Sequence, residues 1–290
     1  MRNYLKYLAL TIVMITSLSC TEIIDIELDS TFTRLVVYGE ITTDLLQHEV
    51  ELTRTTDYFF NEGPPPVINA SVSISFNDST VLLEEKDGSP GVYRIPFPYQ
   101  GIPGTRYVLN ISGVDIDEDG TDEEYTAESI MPLIEEADSI QLQKFITPFF
   151  SGFQVLLYSK DPEGPNWYNF KILRNGELLN QRISDYTVQP DEFVKNNYIF
   201  ALPVGFLNDD DEDELILPGD TVSLEINSLT KDYYDFVVDA QSEIFGNNPL
   251  FSGPPANVSS NISNNGKGIF AAYSIQRVNV IATPPFIPIQ

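Results

Sequence analysis

Sulfur and imidazole are nearly missing from this chain: 290 residues hold one cysteine (Cys20), one histidine (His48), three methionines and one tryptophan (Trp167). One cysteine excludes an internal disulfide, so the folded state must rest on packing. A structural zinc site draws on several Cys and His ligands, and a Ser-His-Asp triad would have to use His48. That residue stands at the head of an expected strand with no nucleophile motif nearby, and it reads as a surface strand residue. Basic residues are also scarce, 16 Lys and Arg against 43 Asp and Glu, for a net charge of −27. Such a surface repels phosphate backbones, which excludes a nucleic-acid partner. No glycine-rich phosphate loop precedes a helix. What remains is 42% hydrophobic and 12% aromatic, too apolar for disorder and long enough for one large core or two moderate ones.

The N-terminus, MRNYLKYLALTIVMITSLSC, places Arg2 and Lys6 before an uncharged stretch from Tyr7 to Ser19. That stretch is too short for a bilayer span, which takes roughly 20 apolar residues. Ser17-Leu18-Ser19-Cys20 resembles a lipobox, with Ser17 where a branched aliphatic is usual. The pattern predicts a signal peptide over residues 1–19 and acylation of Cys20, an anchor that several chains on one residue make stable. An ordinary secretory signal with an incidental cysteine is the alternative. Loss of Arg2 and Lys6 takes the net charge from −27 to −29. Residues 20–32 then form an acidic leader carrying Glu22, Asp25 and Glu27.

From Thr33 onward the dominant period is two. Ala70, Val72, Ile74 and Phe76 alternate with Ser71, Ser73 and Ser75, the signature of a half-buried strand. Short strands separated by Gly, Pro, Asn and Asp predict a mainly all-β chain. The expectation is an immunoglobulin-like antiparallel β-sandwich over residues 33–132, then a second β-rich domain over 133–290. The division falls where MPLIEEA breaks the alternation. Gly104-Thr105-Arg106-Tyr107 resembles the turn-then-tyrosine start of a sandwich strand, with core aromatic as the equal alternative for Tyr107. Asn175-Gly176 predicts a hairpin turn. One helix is expected over about 231–245: Thr230 caps it, Tyr233, Val237, Ala240 and Ile244 form its stripe, and Gly246 ends it. A final strand pair is expected around Gly268–Ile281.

Several segments together, in order and spacing, resemble the Bacteroidetes outer-membrane lipoprotein family called domain of unknown function 4249. They include Leu35-Val36-Val37-Tyr38-Gly39-Glu40-Ile41-Thr42, Val50-Glu51-Leu52-Thr53-Arg54, Gly91-Val92-Tyr93, Tyr233-Tyr234-Asp235-Phe236, Asn261-Ile262 and Gly268-Ile269-Phe270-Ala271-Ala272-Tyr273. The resemblance implies an outer-membrane lipoprotein that assists a TonB-dependent receptor in uptake, on either membrane face. It carries no catalytic residues over.

Two acidic motifs and an aromatic loop are the candidate sites. Asp115, Asp117 and Asp119 before Gly120 have the alternate-carboxylate spacing of a Ca2+ loop, with Glu123 as a further ligand. The position where an EF-hand needs a bidentate Glu holds Thr126, so a solvated hairpin tip is the competing reading. Asp209 to Glu214 is a denser run of six acids and reads as a solvated loop. Tyr58, Phe59 and Phe60 cannot all face one core, and the prolines after them stiffen the loop; they are candidate partner contacts, as are Phe149, Phe150 and Trp167. The expected function is therefore a lipid-anchored, non-enzymatic accessory or ligand-capturing protein. A cell-surface adhesin or glycan-binding module is the alternative. A hydrolase would need two carboxylates in a cleft, one with a raised pKa.

Overall fold

The structure is a computed structural model that describes residues 33–56, 63–134, 136–148, 150–160, 162, 164–179, 182–191, 198–246 and 258–286. Cys20, Tyr58, Phe59, Phe60 and Phe149 lie outside the described residues, as does the side chain of Phe150. The first eight strands are β1 (Leu35–Thr42), β2 (Glu49–Arg54), β3 (Ser71–Phe76), β4 (Ser79–Leu82), β5 (Glu84–Glu85), β6 (Val92–Arg94), β7 (Arg106–Val114) and β8 (Glu123–Ile130). They are followed by β9 (Ala137–Thr147), β10 (Phe150–Lys160), β11 (Trp167–Arg174), β12 (Glu177–Leu178), β13 (Thr187–Pro190), β14 (Tyr198–Asn208), β15 (Thr221–Leu229), helix α1 (Lys231–Gly246) and β16 (Lys267–Ile281). The chain is mainly β, with several antiparallel sheets, as its alternation predicts.

One large sheet runs β12-β11-β15-β16-β1-β2-β6-β5, with β13 also paired to β11. A four-stranded sheet, β4-β3-β7-β8, and a three-stranded sheet, β14-β10-β9, complete the fold. Leu35, Val37 and Ile41 of β1 share one core with Val72, Ile74, Leu109 and Tyr125. A second core joins Val155 and Leu157 of β10 to Phe170, Leu224 and Ile226 of β11 and β15. The first core also takes Ile262, Phe270 and Ala272 from beyond residue 132, and the large sheet joins strands from both sides of that position. Each Val, Leu, Ile or Phe side chain so buried contributes roughly 1.5–3 kcal/mol.

The last strand corrects the sequence reading. Instead of a pair, Lys267–Ile281 is one continuous strand of 15 residues. Its first half pairs in parallel with β1, Gly39 opposite Phe270 and Thr42 opposite Tyr273. Its second half pairs antiparallel with β15. The reason is written in its pattern: Ile269 to Ser274 is buried on both faces, as parallel strands are, and the rest alternates. Phe270 and Ala272 enter the first core, while Ile269, Ala271 and Tyr273 lie beneath α1.

Helix α1 follows its expected start, with the Tyr233 N–H donating to Thr230 Oγ1 at 3.3 Å. Tyr233 and Val237 are buried, but Ile244, expected on the same stripe, is exposed. The sheet passes beneath only the first half of the helix. Asn175 and Gly176 both take positive φ, 53° and 87°, which the twist of a tight hairpin requires. Tyr107 satisfies both of its readings: it is fully buried, and its hydroxyl accepts the Ile102 N–H at 2.8 Å.

Candidate functional site

On β1, the residues facing away from the first core are Tyr38, Glu40 and Thr42, set there by the same period of two that turns Val37 and Ile41 inward. Cross-strand register brings Glu51 of β2 opposite Tyr38, and Glu225 of β15 opposite Arg277 of β16. These side chains bound an open groove of about 530 Å³ on the face of the large sheet. Among its described lining residues five are acidic (Glu40, Asp44, Glu49, Glu51, Glu225) and only Arg277 is a permanent cation.

Glu40 is held by three tyrosines from three elements. The Tyr38 and Tyr233 hydroxyls donate to its Oε1 at 2.7 and 2.5 Å, and the Tyr273 hydroxyl donates to Oε2 at 3.0 Å. Phenol-to-carboxylate bonds are short and about twice as strong as neutral ones. Burial, and then the Glu40 charge, push the Tyr233 and Tyr273 phenols well above their ordinary value. They remain donors at every physiological pH. The cluster pins the first turns of α1 to the junction of β1 and β16.

Arg277 organises the other end. Its Nη1 and Nη2 donate to the two oxygens of Asp44 at 2.8 and 2.6 Å, and its Nε donates to Glu225 Oε2 at 2.9 Å. The hydrogen bond from Arg277 is the main reason Asp44 titrates below the usual carboxylate range. A depressed carboxylate stabilises the fold above its unfolded pKa, and that contribution is lost as pH falls through the folded value. Asp44→Asn should therefore lower the melting temperature by about 1–3 °C at pH 7. The gap from the parent should close on acidification below about pH 4, read by calorimetry across pH.

His48 also lines the groove but is not the surface residue its sequence position suggested: only 2% of it is exposed. The segment carrying Tyr99 covers it, and His48 Nε2 donates to the Tyr99 carbonyl at 2.9 Å. Burial lowers its pKa, so it sits there as a neutral donor rather than a charged one.

The acidic hairpin between β7 and β8 brings Asp115, Asp117 and Glu123 together, with carboxylate oxygens all within 4.8 Å of one another. Asp119, the fourth expected ligand, is not in the group; its Oδ1 accepts the Thr121 N–H at 2.8 Å. Three carboxylates suit a hard cation, which wants six to eight oxygens in the case of Ca2+. Yet the loop closes with its own donors: Asp115 Oδ2 accepts the Gly120 N–H at 3.0 Å, and Glu123 Oε2 accepts the Ile116 N–H at 2.8 Å. Melting curves in EDTA and in millimolar calcium chloride should accordingly coincide within about 2 °C. An upward shift of more than about 4 °C with calcium would establish the ion as a structural ligand.

The run from Asp209 to Glu214 is knitted rather than merely solvated. Asp209 pairs with Lys144 and accepts from Ser151 Oγ at 2.6 Å, while Glu214 accepts the Asn208 N–H at 2.9 Å. Trp167 is half-buried against the core under α1.

The groove residues escaped sequence reasoning, although four of the segments that carry the family resemblance, around Glu40, Glu51, Val92 and Tyr273, meet in it. Fold and groove together define a mainly β protein whose cores share one long strand, with an acid-lined depression bounded by residues of β1, β2, β15 and β16. Residues 21–278 match the domain of unknown function DUF4249, and the chain belongs to that family. Among curated proteins nothing matches it.

Proposed function

We propose that the chain is a lipid-anchored, non-enzymatic binding protein of the outer membrane of a Bacteroidetes cell. It captures a cationic ligand in the groove and serves a TonB-dependent receptor. The observation that carries this reading is the charge of the groove, five carboxylates around one arginine whose donors already serve Asp44 and Glu225. A field of that sign, on a chain of net charge −27, steers cations inward and raises their local concentration. The downward shift of Asp44 is the opposite of what a general acid needs. A tether at Cys20 turns encounter with the receptor into a two-dimensional search and raises the effective concentration.

The three-stranded sheet supports the partner part of the reading. Tyr198, Phe200 and Phe206 of β14 stand exposed on it, Phe200 to 78%. Aromatic residues of this kind are enriched at protein interfaces. The glycan-binding alternative gains nothing here, because the one tryptophan packs against the core instead of offering a stacking face.

Detergent-solubilised full-length chain should retain a TonB-dependent receptor, and Phe200→Ser with Phe206→Ser should weaken that retention. Deleting the gene should slow uptake at limiting ligand. Unchanged uptake together with no receptor retained would overturn the proposal, as would a chain that takes no label from palmitate.

A further inference from the structure

A second cavity lies away from the acidic groove, between the large sheet and the three-stranded sheet. Its volume is about 80 Å³, and its body is apolar: Leu157 of β10, Phe170 of β11, Ile199 and Leu202 of β14, and Ile226 of β15. Two neighbouring positions that could have filled it carry serine, Ser159 on β10 and Ser228 on β15, both buried. Ser159 Oγ turns away to donate to the Lys160 carbonyl at 3.0 Å. The gap is therefore a consequence of sequence, small side chains at facing positions of two sheets.

One polar atom in this wall has no partner. Gln276 of β16 lines the cavity, and its Oε1 is buried with no hydrogen bond. An unsatisfied buried acceptor is uncommon in a folded protein, and it marks where a donor belongs. The rim is polar, with Lys160, Gln189 and Asp191.

We infer that this cavity is a binding site for a small, mainly aliphatic molecule carrying one O–H or N–H donor. The aliphatic body fills the space against Leu157, Phe170 and Ile199, and the donor reaches Gln276 Oε1. The volume is roughly half that of the ~150 Å³ apolar cavity that takes up benzene, which sets the size class at a few heavy atoms. The donor requirement separates this site from a simple hydrophobic void, which would take the unsubstituted hydrocarbon equally well. It is independent of the acidic groove and of any cationic ligand there.

2-Propanol and propane, which share a three-carbon body and differ by one hydroxyl, test it on the full-length chain. Methyl and aromatic NMR signals of Leu157, Ile199 and Phe170 should shift with 2-propanol, and the alcohol should bind at least fivefold more tightly than the hydrocarbon. Gln276→Leu keeps the volume and removes the acceptor; in that variant the preference should vanish or reverse. A wild-type chain that shifts with neither probe, that binds both equally, or that holds only an ordered water at Gln276 overturns the inference. So does a Gln276→Leu variant that keeps the preference.

Discussion

Alanine at position 268 is expected to be the most damaging single substitution in the chain. Gly268 opens β16 at φ +94°, a conformation that L side chains rarely adopt, and an added Cβ would sit 1.9 Å from the Val37 carbonyl oxygen. No side chain can rotate aside, because the obstacle is the backbone of β1 itself. Relief requires β1 and β16 to separate where Val37 pairs with Gly268, the parallel contact that joins the first strand to the last. Strain and lost pairing together should cost about 3–4 kcal/mol. For a chain of this size that lowers the melting temperature by roughly 6–12 °C. A melting temperature within about 2 °C of the parent would mean that the parallel pairing does not hold the fold.

The second large effect is expected at Glu40. Glu40→Ala removes the acceptor of three phenols, two of which, Tyr233 and Tyr273, are buried. Leaving buried donors unpaired costs about 1–3 kcal/mol apiece, offset where water or a neighbour can reach. A net loss of about 2–4 kcal/mol is expected. Glu40→Gln, which keeps one acceptor, should cost about half as much. Tyrosine absorbance provides a second readout, because the Glu40 charge helps raise all three phenols. Removing it should bring part of the tyrosine titration to lower pH in the folded Gln variant. Burial, the larger cause, keeps them above the ordinary value.

How much of this was legible from the sequence depends on the range of the interaction. Alternation is local, so Val72, Ile74 and their neighbours announced a strand, and Thr230 announced the start of α1. Asn175-Gly176 announced its turn for the same reason. The parallel pairing of β1 with β16 joins residues more than 200 positions apart, and no local pattern encodes it. Its one trace was the run Ile269-Phe270-Ala271-Ala272-Tyr273, apolar without alternation, the pattern of a strand covered on both faces. His48 misled because its burial comes from Tyr99, a residue of another segment. The Glu40 cluster left only a faint mark, a carboxylate within the otherwise apolar Leu35–Ile41, and nothing near Arg277 named Asp44 as its partner.

The capture of a cation by the groove is tested most directly by titrating the full-length chain with tetralysine while following backbone NMR signals. The account predicts shifts concentrated at Glu40, Glu49, Glu51 and Arg277, weakening as salt rises, with at least tenfold poorer binding in a Glu49→Gln/Glu51→Gln variant. Shifts spread evenly over the acidic surface, or centred on the 115–123 hairpin and indifferent to that variant, would contradict it.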